Sequence, residues 1–217
     1  MVIDLSKNNS LLNHWVAELR DVHVQNDRMR FRRNIERIGE VAAYELSKTL
    51  QFKPVEVTTP FGIAPTQLLK EQPVLATILR AGLPLHQGML NYFDKADNAF
   101  ISAYRKHHPD GSFEISLEYL SCPNLNDRVL ILCDPMLATG ASLVETIQAI
   151  QKTYTPAQIH IVVTIASEKG IAHVEKELGA DTPIWCAAID PILNDKSYIV
   201  PGLGDAGDLA FGTKMQS

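Results

Sequence analysis

The chain is poor in the features that mark several common protein classes. Its 217 residues include three cysteines, and Cys122, Cys133 and Cys186 form no C-x-x-C pair, which disfavours a disulfide framework or a cysteine metal site. No apolar run approaches the roughly 20 residues that cross a bilayer. The N-terminus carries Asp4 and Lys7, where a secretory signal would be apolar. We therefore expect reduced thiols, a cytoplasmic location and no membrane partner.

A surplus of positive charge is also lacking. Twenty Lys and Arg residues against 25 Asp and Glu residues give a net charge of −5 and a pI of about 5.8. We therefore expect no nucleic-acid partner, and an anionic substrate must be held by local donors. Residues 20–33 are locally basic, with five arginines against two aspartates, and such runs usually lie on a solvated surface.

The apolar content is sufficient for a sizeable core in one domain, because 46% of the residues are hydrophobic and 21% are charged. Continuous apolar runs alternate with amphipathic segments in the middle of the chain. Strands are predicted at residues 73–79, 99–104, 129–133, 158–166 and 184–189. Helices are predicted at 83–92, after 140 and after 167, the last of them capped by Ser167. This alternation predicts an α/β fold with a central parallel sheet and helices on both faces.

The flanking segments are predicted from periodicity and from caps. Ser10 caps a predicted helix over residues 10–22, and a long amphipathic helix follows to about Leu50. A short strand at 55–59 is expected to end at Pro60 and a turn at 62–65. Alternation at 113–120 predicts a hairpin arm behind a polar turn of residues 106–112, in which His107 and His108 are surface or lid residues rather than metal ligands. The tail from residue 190 is loop-rich.

Residues 128–150 contain the strongest local signal. The buried strand 129–133 is followed by Asp134, then by small and hydroxylated residues, then by a helix. The first N–H groups of a helix have no intrahelical partner, so this order predicts an anion site. Thr139 and Ser142 add hydroxyl donors, and Gly140 permits close approach of backbone to ligand. Asp134 suits sugar hydroxyls or a metal, so the segment favours a phosphorylated sugar.

Two common phosphate motifs do not match this segment. A Walker A motif needs Lys where Ala141 stands, and a dinucleotide fingerprint needs three glycines where this loop has one. An ordinary strand-to-helix turn remains an alternative on spacing alone.

Two further segments point to the same chemistry. Arg80 and Gly82 follow a core strand, and ligands bind at the carboxyl ends of strands in open α/β sheets. Arginine offers a planar fork for phosphate oxygens, although a solvent-facing strand-end arginine is the commoner case. Two interpretations of the glycine-rich tail after residue 190 are open: a flexible C-terminus, or a backbone folded around a small flat ligand.

Four motifs resemble the uracil phosphoribosyltransferase family. Residues 134–142, DPMLATGAS, are similar to the loop that binds phosphoribosyl diphosphate (PRPP), usually DPMLATGGS. Residues 198–208, YIVPGLGDAGD, resemble the uracil-binding segment. Residues 79–83, LRAGL, resemble the diphosphate loop, and Tyr104-Arg105 the start of the flexible loop. The resemblance implies a type I phosphoribosyltransferase-like fold with a flexible hairpin arm and a small C-terminal hood.

The resemblance also implies a reaction and its residues: uracil and PRPP give UMP and diphosphate, with Mg²⁺ carried by PRPP rather than held by direct protein ligands. The implied catalytic residues are Asp134, Arg105 and Asp205. The implied PRPP-binding residues are Arg80, Ala81, Gly82, Arg105, Asp134, Pro135, Met136, Leu137, Ala138, Thr139, Gly140, Ala141, Ser142 and Asp205. The implied uracil-binding residues are Tyr198, Ile199, Gly204, Asp205 and Ala206. Within one domain, 1–52 would be N-terminal helices, 53–189 the α/β core and 190–217 the base-binding hood.

The chain departs from the family pattern at Ala141, at Ser197 and in the residues after Arg105. Two alternatives therefore stay open: a phosphoribosyltransferase for another nucleobase, and a catalytically weak nucleotide-sensing protein of the same fold. Family members usually associate, so the resemblance also implies a homo-oligomer, either a dimer or a tetramer.

Overall fold

The computed structural model describes residues 1–107 and 113–214, and within these ranges the side chains of residues 103–107 and 113–118 are not described. The strands are β1 Val2–Asp4, β2 Phe52–Thr59, β3 Gly62–Leu69, β4 Val74–Ile78, β5 Asp97–His107, β6 Phe113–Ser121, β7 Val129–Cys133, β8 Met136–Leu137, β9 Gln158–Ser167, β10 Ile184–Asp190, β11 Ile192–Leu193 and β12 Ile199–Val200. The helices are α1 Leu11–Arg20, α2 Arg28–Ser47, α3 Leu83–Leu90, α4 Ala141–Gln151, α5 Glu168–Leu178 and α6 Ala206–Phe211.

The central sheet has the strand order β1-β10-β9-β7-β4-β5-β6, with the two-residue β8 also paired to β9. All these neighbours are parallel except β5 and β6, which form an antiparallel pair. The predicted α/β fold with a mostly parallel central sheet is therefore confirmed. Since the strands are parallel, β4, β7, β9 and β10 all present their carboxyl ends at one edge.

Helices cover both faces of the sheet, as the alternation predicts. Successive residues of a strand point to opposite faces, and Leu130 and Leu132 pack with α4 and α5, while Ile131 and Cys133 pack with α1, α2 and α3. All four of these strand residues are fully buried. Continuous apolar runs are thus explained by burial on both faces, which is typical of parallel strands.

The helix boundaries follow the predicted caps. The Ser10 side chain accepts a hydrogen bond at the start of α1, and the Ser167 side chain accepts one from the Gly170 N–H at the start of α5. The inner face of α2 contains the predicted apolar residues, all buried: Phe31, Ile35, Ile38, Ala42 and Leu46. These helices are therefore confirmed with ends shifted by a few residues, the normal scatter of such boundaries.

The predicted hairpin arm is confirmed as the antiparallel pair β5–β6, with an irregular register between Ser102 and Ala103. Residues 106 and 107 of the predicted turn belong to β5. The remaining residues of that turn, 108–112, and the side chain of His107 lie outside the part of the chain that is described.

Three segments differ from the prediction. Residues 62–65, predicted as a turn, begin strand β3, which pairs antiparallel with β2 around a turn at residues 60–61. Pro65 is tolerated there because a two-stranded ribbon leaves one side of each strand without a hydrogen-bonding partner. The N-terminal segment contributes the edge strand β1 to the sheet, and the loop-rich tail contains β11, β12 and α6. Elements of two to six residues are too short to show periodicity.

None of the helices in the described ranges has the length and apolarity needed to traverse a lipid bilayer.

Candidate functional site

Three loops meet at the carboxyl edge of the sheet, where open α/β folds bind ligands. The β4 loop is defined as residues 79–82, the β7 loop as residues 134–142, and the hood as residues 190–214. β4 and β7 are adjacent in the sheet, and β10 lies on the far side of β9. The predicted site residues other than Arg105, which belongs to β5, all lie in these three segments.

Asp134 lies directly after β7. Its N–H donates to the Val162 carbonyl at 3.1 Å, and its carboxylate accepts from the Met136 N–H at 3.2 Å. Burial raises the pKa of Asp134 to about 7, and the Met136 hydrogen bond opposes only part of that effect. A carboxyl poised to change charge near neutral pH, at a ligand-binding edge, is a recognised mark of a functional group.

Residues 135–137 form the wall of the β7 loop. The Pro135 carbonyl accepts from the Thr164 and Ile165 N–H groups at 3.0 Å each, and Leu137 is fully buried. Met136 and Leu137 pair with β9 as the short strand β8. These three residues therefore anchor the loop to the sheet.

The second half of the β7 loop forms the start of α4. Gly140 is the N-cap with φ of +80°, a conformation that favours glycine, and no side chain caps this helix. The Thr139 hydroxyl accepts from the Ala141 N–H at 3.4 Å. Among the described residues, the next N–H groups of this 11-residue helix, those of Ser142 and Leu143, are left for an outside acceptor, which fits the predicted anion site.

Two residues that support the β7 loop were not predicted from the sequence. The Ser167 hydroxyl donates to the Ala138 carbonyl at 2.5 Å, and a Cβ added at Gly170 would collide with the same carbonyl. Ser167 is predicted only as a helix cap, and Gly170 carries no local signal. Their role depends on α5 packing beside the β7 loop, a contact between segments 30 residues apart.

The β4 loop connects the other two segments. A Cβ added at Gly82 would collide with the Thr77 hydroxyl and lie 2.7 Å from the Cys133 carbonyl, so this glycine packs on the end of β7. Arg80 Nη2 lies 2.7 Å from Asp208 Oδ1 in the hood. A Cβ added at Gly207 would lie 3.7 Å from the Ala81 Cβ. The β4 loop therefore contacts both the end of β7 and the hood.

The pairing of Arg80 was not predicted. Its guanidinium is expected to face a diphosphate, but it forms an ion pair with Asp208 in which both side chains are about one-third exposed. Asp208 is part of the quoted tail motif, although no role is assigned to it from the sequence. Arg80 has further N–H donors that this single contact does not use.

The hood combines a small hairpin with a short helix. Ile199 is buried, whereas Tyr198 is exposed and uses its backbone N–H and carbonyl in a turn with Asn194. Asp205 is the N-cap of α6, where its Oδ1 accepts from the Asp208 N–H at 2.9 Å. Gly204 is exposed and Ala206 is buried. The predicted uracil residues thus lie in two places within the hood, at β12 and at the start of α6.

A cavity of about 420 Å³ lies between the hood and the segment that joins α1 to α2. This volume is within the range of small-molecule sites. It is lined by Gln25, Asn26, Arg28, Gly204, Asp205, Asp208, Leu209 and Thr213. Two predicted site residues, Gly204 and Asp205, contribute to it, and the β7 loop does not.

Ser197 occupies the left-handed region with φ of +62°, which explains why glycine suits this position. We expect Ser197→Gly to raise the free energy of unfolding by about 0.5 kcal/mol, because relief of strain slightly exceeds the added chain entropy. The melting temperature should rise by about 1–2 °C. Lys196→Gly is a control from the same turn that relieves no strain and should not stabilise. A lower melting temperature for Ser197→Gly would contradict this explanation.

Arg105 and the three cysteines are also the subject of predictions from the sequence. The side chain of Arg105 lies outside the described side chains, although its backbone belongs to β5. The three cysteines are free thiols, and burial raises the pKa of Cys186 to about 12 and that of Cys133 further. Within residues 1–107 and 113–214, no group of three His, Cys, Asp or Glu residues is placed to hold a metal ion.

Comparison with known proteins identifies relatives along almost the whole chain. The family model described as uracil phosphoribosyltransferase matches residues 6–213. A uracil phosphoribosyltransferase from Porphyromonas gingivalis is 53% identical over 214 residues, covering 99% of each chain. The solved AQ2163 protein from Aquifex aeolicus is similar at 30% identity, with a TM-score of 0.86 and full coverage of both chains.

A more distant solved structure shares the fold alone. The adenine phosphoribosyl transferase from Trypanosoma brucei is 11% identical, with a TM-score of 0.57 over 90% of this chain and 87% of its own. The fold is therefore that of the phosphoribosyltransferases, as the sequence motifs imply. Together with the family match and the 53% identical relative, this shows that the chain belongs to the uracil phosphoribosyltransferase family.

Proposed function

We propose that the protein transfers a phosphoribosyl group from PRPP to uracil, forming UMP and diphosphate. The observation that carries the proposal is the β4 loop, which contacts the end of β7 through Gly82 and the hood through Arg80. A reaction between a sugar phosphate and a base requires both binding segments on one edge of the molecule. The β4 loop between them is where the leaving diphosphate would have to lie.

The roles within PRPP binding follow from the chemistry of each segment. Residues 138–142 would hold the 5′-phosphate at the start of α4, where N–H groups lack intrahelical partners. Asp134 would accept hydrogen bonds from the ribose hydroxyls. Arg80, together with the backbone of Ala81 and Gly82, would neutralise the departing diphosphate, and Arg105 is assigned to the same task from the resemblance alone.

The base would be held by main chain rather than by side chains. Uracil offers alternating donors and acceptors along one edge, and backbone groups of Ile199, Gly204 and Ala206 would satisfy them. Asp205 accepts the Asp208 N–H through Oδ1, so it would present its remaining oxygen toward PRPP. Tyr198 is exposed, and its role in binding the base is assigned from the resemblance alone.

Catalysis would depend on alignment and electrostatics rather than on a covalent intermediate. Displacement at the anomeric carbon develops oxocarbenium character, so the site must hold base and sugar in line and stabilise the diphosphate. It must also exclude water, which would hydrolyse PRPP. We assign the β5–β6 hairpin, on the side of β4 away from β7, to that covering role.

Mg²⁺ fits this arrangement as an ion that arrives with PRPP. The ion prefers phosphate oxygens, retained waters and one or two carboxylates over an all-protein cage. The described residues offer the carboxylates of Asp134 and Asp205 on this edge and no larger donor group. When bound, the ion would neutralise charge on the diphosphate.

The direct test is UMP formation from labelled uracil and PRPP with Mg²⁺. We expect turnover with uracil and none with adenine, guanine or hypoxanthine at equal concentration. Turnover with a purine instead would identify a phosphoribosyltransferase for another base. Saturable PRPP binding by calorimetry without turnover of any base would identify a sensor and reject the proposal.

We place a second copy of this chain on the β2–β3 hairpin. The hairpin forms its own two-stranded sheet, nearly all of its residues are exposed, and an isolated ribbon of this kind is only marginally stable in water. It exposes several large apolar side chains: Phe52, Val57, Phe61, Ile63 and Leu68. Such a patch on a projecting ribbon is typical of an interface between subunits.

The double variant Phe61→Ser, Ile63→Ser is therefore expected to shift the protein from oligomer toward monomer. These side chains make little contact within the subunit, so its circular dichroism should be unchanged. Sedimentation velocity at micromolar concentration measures the change, and Tyr92→Ser, an exposed residue after α3, is the matched control. A wild-type protein that sediments as a monomer would refute this assembly.

We also assign the protein to the cytoplasm. Its three cysteines are unpaired, and Cys133 and Cys186 are buried as thiols within the two halves of the core. Proteins with unpaired buried thiols are typical of reducing compartments.

A further inference from the structure

Two arginines of the basic stretch at residues 20–33 hold the hood instead of facing solvent. Arg30 and Arg33 follow the usual pattern, since they form exposed ion pairs with glutamates of α1 and α2. Arg32 donates to the Ala210 carbonyl at 2.7 Å, near the end of α6. Arg20 reaches the other end of the hood, where it contacts Asp190 and Gly202.

The contacts among Arg20, Asp190 and Gly202, here called the Arg20 clamp, form a closed set. Arg20 Nη1 and Nη2 donate to the two carboxylate oxygens of Asp190 at 2.8 Å each, in the bidentate geometry that suits arginine. Arg20 Nη1 also donates to the Gly202 carbonyl at 3.0 Å. The Gly202 N–H donates to Asp190 Oδ2 at 2.9 Å. Both backbone polar groups of Gly202 are thereby fixed.

Burial makes this clamp sensitive to the loss of one partner. Asp190 is only 4% exposed at the end of β10, and the Arg20 side chain is about three-quarters buried. A buried carboxylate without its cation is strongly unfavourable. Removal of Arg20 therefore leaves the Asp190 carboxylate to be hydrated or protonated, and the Gly202 carbonyl loses its hydrogen-bond donor.

The clamp acts on the segment assigned to the base. Gly202 packs so tightly on Ile199 that an added Cβ would collide with the Ile199 carbonyl. Ile199 is held on its other side by Leu193 in the β11–β12 pair. We infer that Arg20 is a positioning residue for the nucleobase: through Asp190 and Gly202 it fixes the main chain of residues 199–204, without contacting either substrate. This inference rests on the proposed function.

PRPP binding should be largely independent of the clamp. The β7 loop is held by Ser167 and Gly170 at the start of α5, and by the pairing of β8 with β9. In the described part of the chain, no hydrogen bond or ion pair joins Arg20 or Asp190 to that loop. A positioning role for Arg20 therefore predicts an effect on the base alone.

The test compares Arg20→Ala and Arg20→Lys with the wild type in steady-state kinetics. We expect the KM for uracil to rise about 10- to 100-fold in Arg20→Ala, the size expected for lost hydrogen bonds between charged groups. The KM for PRPP should stay within about twofold. Arg20→Lys keeps the charge without the fork, so its KM for uracil should lie between the two. Arg30→Ala, from the same basic stretch, is the control and should match the wild type.

A second variant keeps the inference testable if Arg20→Ala does not fold. The double variant Arg20→Met, Asp190→Asn removes both charges and keeps an amide oxygen for the Gly202 N–H, so it should fold and show a smaller rise in KM than Arg20→Ala. Equal rises in the KM values for uracil and PRPP, or an unchanged KM for uracil in Arg20→Ala, would overturn the positioning role. A lower melting temperature with unchanged KM values would also overturn it, since that is a purely structural effect.

Hydrogen exchange separates this inference from the proposed function. Backbone amides of residues 199–204 should exchange at least about tenfold faster in Arg20→Ala, while those of 138–144 remain unchanged. This readout needs no activity. If the wild type fails to convert uracil, the proposed function is rejected, and the clamp is still judged by the exchange rates. Unchanged exchange at 199–204 would overturn the clamp itself.

Discussion

Asp134→Asn is expected to lower kcat/KM for PRPP by about 100-fold or more, with the fold intact. Asparagine matches the size of the carboxylate, but it cannot accept the charge-assisted hydrogen bonds that two ribose hydroxyls would donate. One oxygen of Asp134 already accepts the Met136 N–H, and an asparagine oxygen can keep that contact. Steady-state kinetics with PRPP as the varied substrate measures the loss.

The same variant should remove a pH dependence near neutrality. Burial raises the pKa of Asp134 to about 7, so the carboxyl is largely protonated at pH 6 and largely ionised at pH 8. If the ionised form binds PRPP, affinity rises with pH through this range in the wild type. The phosphate groups of PRPP also ionise, and this affects the wild type and Asp134→Asn equally. The difference between the two profiles therefore isolates Asp134.

The free energy of unfolding should change with pH in the direction opposite to that of PRPP affinity. The pKa of Asp134 in the folded state lies above its ordinary value of 3.8, so between about pH 4 and 7 the native state binds more protons than the unfolded state. The wild type therefore loses stability as pH rises through this range, and Asp134→Asn should melt at a higher temperature than the wild type at pH 8. At pH 4 the two should melt at similar temperatures.

The control for both measurements is Asp94→Asn. Asp94 is exposed just before β5, at the amino edge of the sheet, so its variant should follow the wild type in every respect. Wild-type kinetics in Asp134→Asn would refute the placement of the ribose at the β7 loop. A retained difference between pH 6 and pH 8 of the wild-type size would assign the titration to another group.

Gly82→Ala is expected to have the second large effect. An added Cβ would collide with the Thr77 hydroxyl and lie within 2.8 Å of the Cys133 and Ile78 carbonyls, none of which is the end of a flexible side chain. Overpacking of this kind costs about 3 kcal/mol of stability. The β4 loop must shift, and a shift of about 1 Å in a substrate-positioning loop lowers activity about 100-fold.

A second substitution tests the stated cause. Thr77→Ala removes the hydroxyl nearest to the new Cβ, so the double variant Thr77→Ala, Gly82→Ala should recover part of the stability and part of the PRPP affinity. The two carbonyl contacts remain, so recovery should be incomplete. Thermal denaturation and PRPP titration measure both. Additive losses in the double variant would show that the Thr77 contact is not responsible.

Local patterns predicted the elements whose signals lie within one segment. The apolar runs of β4, β7, β9 and β10 and the caps Ser10 and Ser167 were identified because burial on two faces and helix initiation leave marks on adjacent residues. Asp134 and Gly140 were placed correctly at the end of a strand and the start of a helix. The resemblance added the connection between these residues and the tail.

Contacts between segments that are distant along the chain could not be predicted from local patterns. Strand β1 has three residues, and its place at the edge of the sheet depends on β10, about 180 residues away. The pairing of Arg80 with Asp208 and the support of Ala138 by Ser167 and Gly170 likewise join residues that no local pattern relates. The turn predicted at residues 62–65 was wrong because local sequence does not distinguish a proline that ends a strand from one that lies in a two-stranded ribbon.

Local sequence was enough to predict the long core strands, the main helices and an anion site at the start of α4, because backbone conformation and hydrogen-bonding capacity are properties of short stretches. Only the tertiary structure decided that Arg80 meets the hood, that α5 supports the β7 loop, and that Arg20 reaches Asp190 and Gly202. The physical reason is that these contacts arise when packed layers bring remote side chains within hydrogen-bonding distance, and packing is a property of the whole chain.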